Sequence, residues 1–313
     1  MAVFPDIFLS VCLPILVLAG LGWGLDRIFD LDLKTLVKLN LYLFVPAFIL
    51  TRLSSSSLES ETGLAVVGFT IALIIAMGLI SWAVSTATGL TPARRYSMKL
   101  STMIYNSGNW GIPLMTLAFG EKGGVIQVFV LATMNVASFS IGVLLANAGN
   151  EKRRGWLIPI LKQPSPWAVT IALTLRHFGN PLTEIDFVWV PLSYLADALV
   201  AFALITLGVQ LAKTKPPGVR GPLGHALLIR LIGGPAVAIL FTWWFGFEGM
   251  IAAILIVGAA APTAVNTALL AHEFNADSRF AAAAVFYSTL AASIVVTALL
   301  AILRAGWIPW AIP

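Results

Sequence analysis

The chain has 313 residues, 59% hydrophobic and 11% charged, with a net charge of +5 and a mean hydropathy of +0.93. Soluble domains carry about 25% charged residues, so this composition excludes a soluble globular protein and points to a multi-span membrane protein. The positive charge is spread over successive loops, which argues against a nucleic-acid partner, and the single cysteine, Cys12, excludes an internal disulfide and reads as a small buried hydrophobe.

Windows of roughly 20 apolar residues place ten spans near 3–25, 36–53, 62–86, 98–120, 124–147, 166–178, 188–212, 222–245, 249–273 and 279–304. Span 1 has no basic leader and is long enough to stay in the membrane, so it is expected to be retained. Its Gly20, Gly22 and Gly24 suit close helix packing. Span 4 is interrupted by Tyr105-Asn106-Ser107-Gly108-Asn109-Trp110-Gly111-Ile112-Pro113. Span 6 is short, with Trp156–Ile160 as an alternative start. Span 7 holds Asp197, an acid inside an apolar stretch, which reads either as a proton-coupling carboxylate or as a structural hydrogen-bonding group. Span 8 holds Arg230, expected to snorkel to the cytoplasmic interface. Span 9 is interrupted by Ala259-Ala260-Ala261-Pro262-Thr263-Ala264-Val265-Asn266-Thr267 and closes on His272-Glu273, read as a solvated helix end.

The loops after the odd spans carry fourteen Lys and Arg, among them Lys34, Lys38, Arg94, Arg95, Lys152, Arg153, Arg154, Lys213, Lys215 and Arg220. The opposite side carries four, Arg52, Lys122, Arg176 and Arg304. The positive-inside rule then places both termini outside the cytoplasm, in a bacterial inner or other plasma membrane. Five spans per half is an odd number, so the second half must lie inverted relative to the first. The expected fold is therefore an all-α membrane protein of ten helices in a 5+5 inverted repeat, with repeats over 1–148 and 166–313 and a cytoplasmic linker over 149–165.

Glycine and proline loosen or remove backbone hydrogen bonds, and in hydrocarbon such breaks persist only where protein or a watery cavity covers them. Matching breaks in the two halves of a chain point to a transporter's binding site. Each break starts a new half-helix, whose free N–H groups and partial positive charge suit a carboxylate. Proline costs little in the first turn, which fits Pro113 after Gly111 and the restart after Pro262 beside Thr263. Asn106, Asn109 and Asn266 supply amides that bind an anion without a full charge in the membrane, or that satisfy the broken backbone. Three scattered histidines and one cysteine give no metal-ligand spacing, and no nucleotide loop or catalytic set is present. The reading is thus of a carrier, with no cofactor and no enzyme activity, and with proton or sodium coupling left open.

At these residues the chain resembles the auxin efflux carrier family, the plant PIN-type carriers and their bacterial relatives. The span-4 signature is present as Asn106, Gly111-Ile112-Pro113-Leu114 and Gly120-Glu121. Further matches are Val45-Pro46, Leu195-Ala196-Asp197-Ala198, Arg230 with Gly234-Pro235-Ala236-Val237, Ala259 to Pro262, and Ala271-His272-Glu273-Phe274-Asn275. The resemblance implies a scaffold layer of spans 1, 2, 6 and 7 that dimerises. It also implies a transport layer of spans 3–5 and 8–10 whose crossed, broken helices 4 and 9 hold an organic anion. By the same resemblance Asn106 is the prime substrate contact, Pro262 marks the second crossing, and Val45 and Ile49 line the scaffold side. Plant members carry an Asp and a Lys on span 3, and span 3 here, over 62–86, has neither. The missing long cytoplasmic loop fits a compact bacterial member, for which the resemblance suggests a small dicarboxylate such as malate or malonate rather than an auxin-like acid. The rival readings are a sodium-coupled anion symporter with a bile-acid symporter or sodium–proton antiporter architecture, and an anion sensor that does not transport.

Overall fold

A computed structural model describes residues 3–147, 162–214, 221–273 and 275–312. Most of the expected linker over 149–165, with Lys152, Arg153, Arg154 and the Trp156–Ile160 start, lies outside the described residues, as do Lys215, Arg220 and Phe274. The chain is all-helical: α1 Phe4–Phe29, α2 Leu33–Ser54 and α3 Ser60–Ala87; α4 Pro92–Met103, α5 Ile112–Asn147, α6 Pro164–His177 and α7 Asp186–Lys213; α8 Pro222–Trp244; α9 Gly249–Gly258, α10 Asn266–Glu273 and α11 Ser278–Arg304. Seven stretches among the described residues are long and apolar enough to cross a membrane, so this is a multi-pass membrane protein. Large apolar side chains such as Leu64, Leu79, Ile232, Trp243 and Ile294 are exposed on outer helix faces, where lipid would cover them.

One of the seven stretches, Ser107–Ser138, is not straight. Gly120 takes φ 67° and ψ −156°, a conformation that side chains disfavour, and there the chain turns back on itself. Residues 112–119 and 121–147 are therefore two helical segments that meet at Gly120.

Four helices contain a widened, π-helical turn, over Phe8–Cys12, Asn40–Phe44, Ser107–Gly111 and Ile229–Gly233. Each begins six residues before a proline, at Pro14, Pro46, Pro113 and Pro235. A proline ring crowds the carbonyl four residues back and offers no N–H, and adding a residue to the turn relieves both problems. In three cases the bond before the proline skips five residues, from Leu13 to Phe8, Val45 to Asn40 and Gly234 to Ile229.

Helix α1 packs along α7, and α2 packs against α6 and α7. The close α1–α7 approach depends on two glycines. A Cβ at Gly22 would overlap the Ile205 backbone, and one at Gly208 would overlap the carbonyl of Ala19. Gly20 and Gly24, expected to share this role, face no neighbour within 4 Å, because they lie on the side of α1 away from α7. Helix α3 packs on α4, α5 and α8, while α4 and α10 pack on α11, and α9 runs between α5 and α8.

Candidate functional site

The two interruptions meet. After Met103 the chain leaves the helix, with Ile104 extended at φ −104° and ψ 115°, and it stays open through Asn106 at φ −76° and ψ 72°. Opposite, α9 ends at Gly258 and α10 starts at Asn266. The two open segments pair as a short antiparallel bridge between Tyr105 and Thr263. Asn106 N–H donates to the Pro262 carbonyl at 2.8 Å, and Ala264 N–H donates to the Ile104 carbonyl at 3.0 Å. Thr263 is held on both sides, its hydroxyl donating to Ser101 O at 2.8 Å and its N–H to Ser288 Oγ at 3.0 Å. Gln127 Nε2 caps the carbonyl of Ser107 at 2.9 Å. Backbone groups freed by the breaks thus find partners inside the protein, as an apolar surrounding requires.

Two half-helices, α4 and α9, point their C-termini at the crossing. Each such end carries roughly −0.5 of a charge. Arg230 answers both: its guanidinium donates to the Thr102 carbonyl at 2.6 Å and to the Ala259 carbonyl, and its centre lies 5.0 Å from the Tyr105 ring. Arg230 is 1% exposed, so the expected snorkelling to the interface does not occur. The widened turn over Ile229–Gly233 sets the side chain facing inward, where the carbonyls of two other helices satisfy it.

The other two half-helices begin at the crossing, and their N-termini face a cavity of about 100 Å³. Tyr105, Asn106, Ser107, Gly108 and Asn109 line it from one break and Ala264, Val265 and Asn266 from the other. Helices α2 and α7 close it with Val37, Asn40, Leu41, Val45 and Gln210, and α5 contributes Asn135 and Ser138 among others. Among the described residues no charged side chain lines it. Asn40 Nδ2 donates to Asn109 Oδ1 at 2.5 Å, tying α2 to the first break. Asn106, buried and lining the cavity, has an Nδ2 without an acceptor among the described residues. The arrangement offers two helix N-termini and several amides to one small polar ligand, and its chemistry is that of binding an anion.

Of the residues expected from the sequence, Val45, Asn106, Asn109 and Asn266 come together on this cavity. Gly111, Pro113, Pro262 and Thr263 build the crossing beneath it and are buried there. Ile49 lies one turn beyond Val45, fully buried in the core. Asp197 is elsewhere: it pairs with Arg52, which also reaches Glu121 at 3.5 Å beside the Gly120 turn. The Asp197 side chain is 62% exposed, so it is not buried among packed helices. Among the described residues the acid buried in a span is Asp26, held by Lys213 at 3.0 Å. His272 is exposed at the end of α10, as a solvated helix end should be. Sequence reasoning missed Asn40, Gln210 and the inward role of Arg230; the proline six residues after the start of each widened turn is the signal that marks two of them. Among the described residues no three His, Cys, Asp or Glu side chains gather as a metal site.

A multi-pass helical protein with two interrupted helices crossing under a polar cavity is built as a membrane transporter. The chain belongs to the membrane transport protein family, that of the auxin efflux carriers, which matches it over residues 7–300; it is a transporter and not an enzyme. It is 26% identical to an "uncharacterized transporter" of Methanothermobacter thermautotrophicus over 290 residues, 89% of this chain and 92% of the relative. A second "uncharacterized transporter", from Methanocaldococcus jannaschii, is 26% identical over 316 residues, 96% and 98% of the two chains. A "putative malonate transporter" of Rhizobium meliloti is 26% identical over 333 residues, 96% of this chain and 97% of the relative.

Proposed function

We propose that the protein is a secondary transporter that binds a small organic anion at the crossing and carries it through the membrane. The observation that supports this most is the bridge between Tyr105 and Thr263, which turns two helix N-termini and the free amide of Asn106 onto one cavity. In this reading the chain folds as ten spans in a 5+5 inverted repeat. Spans 1, 2, 6 and 7 form a scaffold through which two copies dimerise. Spans 3–5 and 8–10 move against it as an elevator. The dense packing of α1 on α7 and of α2 on α6 supports a separate scaffold. Val37 and Gln210 lie close in sequence to Lys38 and Lys213, so with basic loops and linker in the cytoplasm and both termini outside, the cavity faces the cytoplasm.

The relative named for malonate favours a dicarboxylate as the anion. A thermal-shift screen of monocarboxylates, dicarboxylates and indole acids tests the class, since a ligand bound only by the folded state raises its apparent stability. A rise with short dicarboxylates is expected. No rise with any carboxylate would remove the organic-anion reading.

A further inference from the structure

Resting on that reading, we infer that Asn40 and Gln210 form a second subsite in the same cavity, one that accepts hydrogen bonds. It selects an anion whose far end is a donor: a half-protonated dicarboxylate, or a carboxylate bearing a hydroxyl or carboxamide. Both residues are nine-tenths buried, at 5% and 7% exposure, and both line the cavity from the α2 and α7 side. Asn40 spends its Nδ2 on Asn109, which turns its Oδ1 away from that bond. Neither Asn40 Oδ1 nor Gln210 Oε1 receives a hydrogen bond from the described protein. Two buried, unpartnered acceptors therefore belong to residues that line the cavity from α2 and α7, while its remaining lining includes Asn106, with an unpartnered amide, and the starts of two helices.

The polarity of the two walls sets the ligand. A carboxylate at the crossing meets donors and partial positive charge. A second ionised carboxylate beside those acceptors would meet carbonyl oxygens, with no cationic side chain among the described lining residues to offset it. An O–H or N–H at that end satisfies the acceptors instead. The partial charges agree: two helix N-termini at roughly +0.5 each match one negative charge rather than two.

Malonamate and monomethyl malonate separate the possibilities. Both carry one carboxylate and are similar in size, but only the amide donates. Titrated into the purified full-length protein and followed by calorimetry, malonamate is expected to bind about tenfold more tightly than the ester. Gln210→Leu should reduce that gap to about twofold. Equal binding of the two ligands to the wild type overturns the subsite but leaves the organic-anion reading standing. A gap that survives in folded Gln210→Leu and Asn40→Leu likewise overturns it. Should neither variant fold, the wild-type comparison alone decides. If malonamate, the ester, malonate and propionate all fail to bind, the organic-anion reading falls and the subsite with it.

Discussion

The backbone N–H of Asn106 donates to the carbonyl of Pro262 at 2.8 Å, so the two interrupted helices are bonded to each other where each loses its own ladder. Asn106→Ala keeps that N–H and removes only the side-chain amide. The variant should fold with a near-native Tm. It should lose carboxylate affinity by roughly ten- to a hundredfold, the equivalent of about 1.5–3 kcal/mol for a hydrogen bond to a charged group. Calorimetry on the purified variant measures this, and native affinity would take Asn106 out of the site.

Arg230 holds the C-termini of α4 and α9 together, and without it two carbonyl ends meet unpaired. Arg230→Met is expected to destabilise by about 3–6 kcal/mol, from two hydrogen bonds to a charged donor. Arg230→Lys keeps the charge but cannot fork between Thr102 and Ala259, so its loss should be intermediate. Denaturation in detergent ranks the three proteins, and a native Tm for Arg230→Met would contradict the role.

A pair of glycine changes tests the α1–α7 contact. Gly208→Ala forces a Cβ into the Ala19 backbone and should cost about 1–3 kcal/mol. Gly20→Ala meets nothing within 4 Å, and the better helix propensity of alanine makes it neutral or mildly stabilising. Parallel melting curves distinguish the two, and equal Tm values would show that the helices do not touch there.

The Arg52–Asp197 pair is a third to two-thirds exposed, so screening limits its contribution to about 0–1 kcal/mol. Asp197→Asn should barely move the Tm. Because Asp197 is paired with Arg52 and exposed, the pH profile of uptake is expected to persist in the variant. A flattened profile would restore Asp197 as the coupling carboxylate.

The breaks were legible because glycine and proline weaken a helix locally, and Gly108, Gly111, Pro113 and Pro262 cluster at the two openings, whereas Pro14, Pro46 and Pro235 are absorbed by widened turns. The asparagines beside them were legible for the same reason, since an amide in an apolar run needs a partner. That the breaks pair with each other was only implied by their matching positions. Arg230 was not legible. A long cation early in an apolar helix fits snorkelling as well as burial, and the carbonyls that bind it lie 128 and 29 residues away. Gln210 sits near the end of α7, where amides are common, and Asn40 lies inside α2 with only Pro46 to mark its widened turn; the fold brings both to the cavity. The partner of Asp197 was not legible, because its apolar sequence neighbours hide Arg52, which arrives from a different helix.

Uptake of labelled malonate into proteoliposomes tests the central claim most directly, with wild type and Asn106→Ala compared with and without sodium. Wild-type vesicles should accumulate label in the lumen without sodium, and the variant should not. Saturable binding by the wild type with no label inside the vesicles would contradict transport.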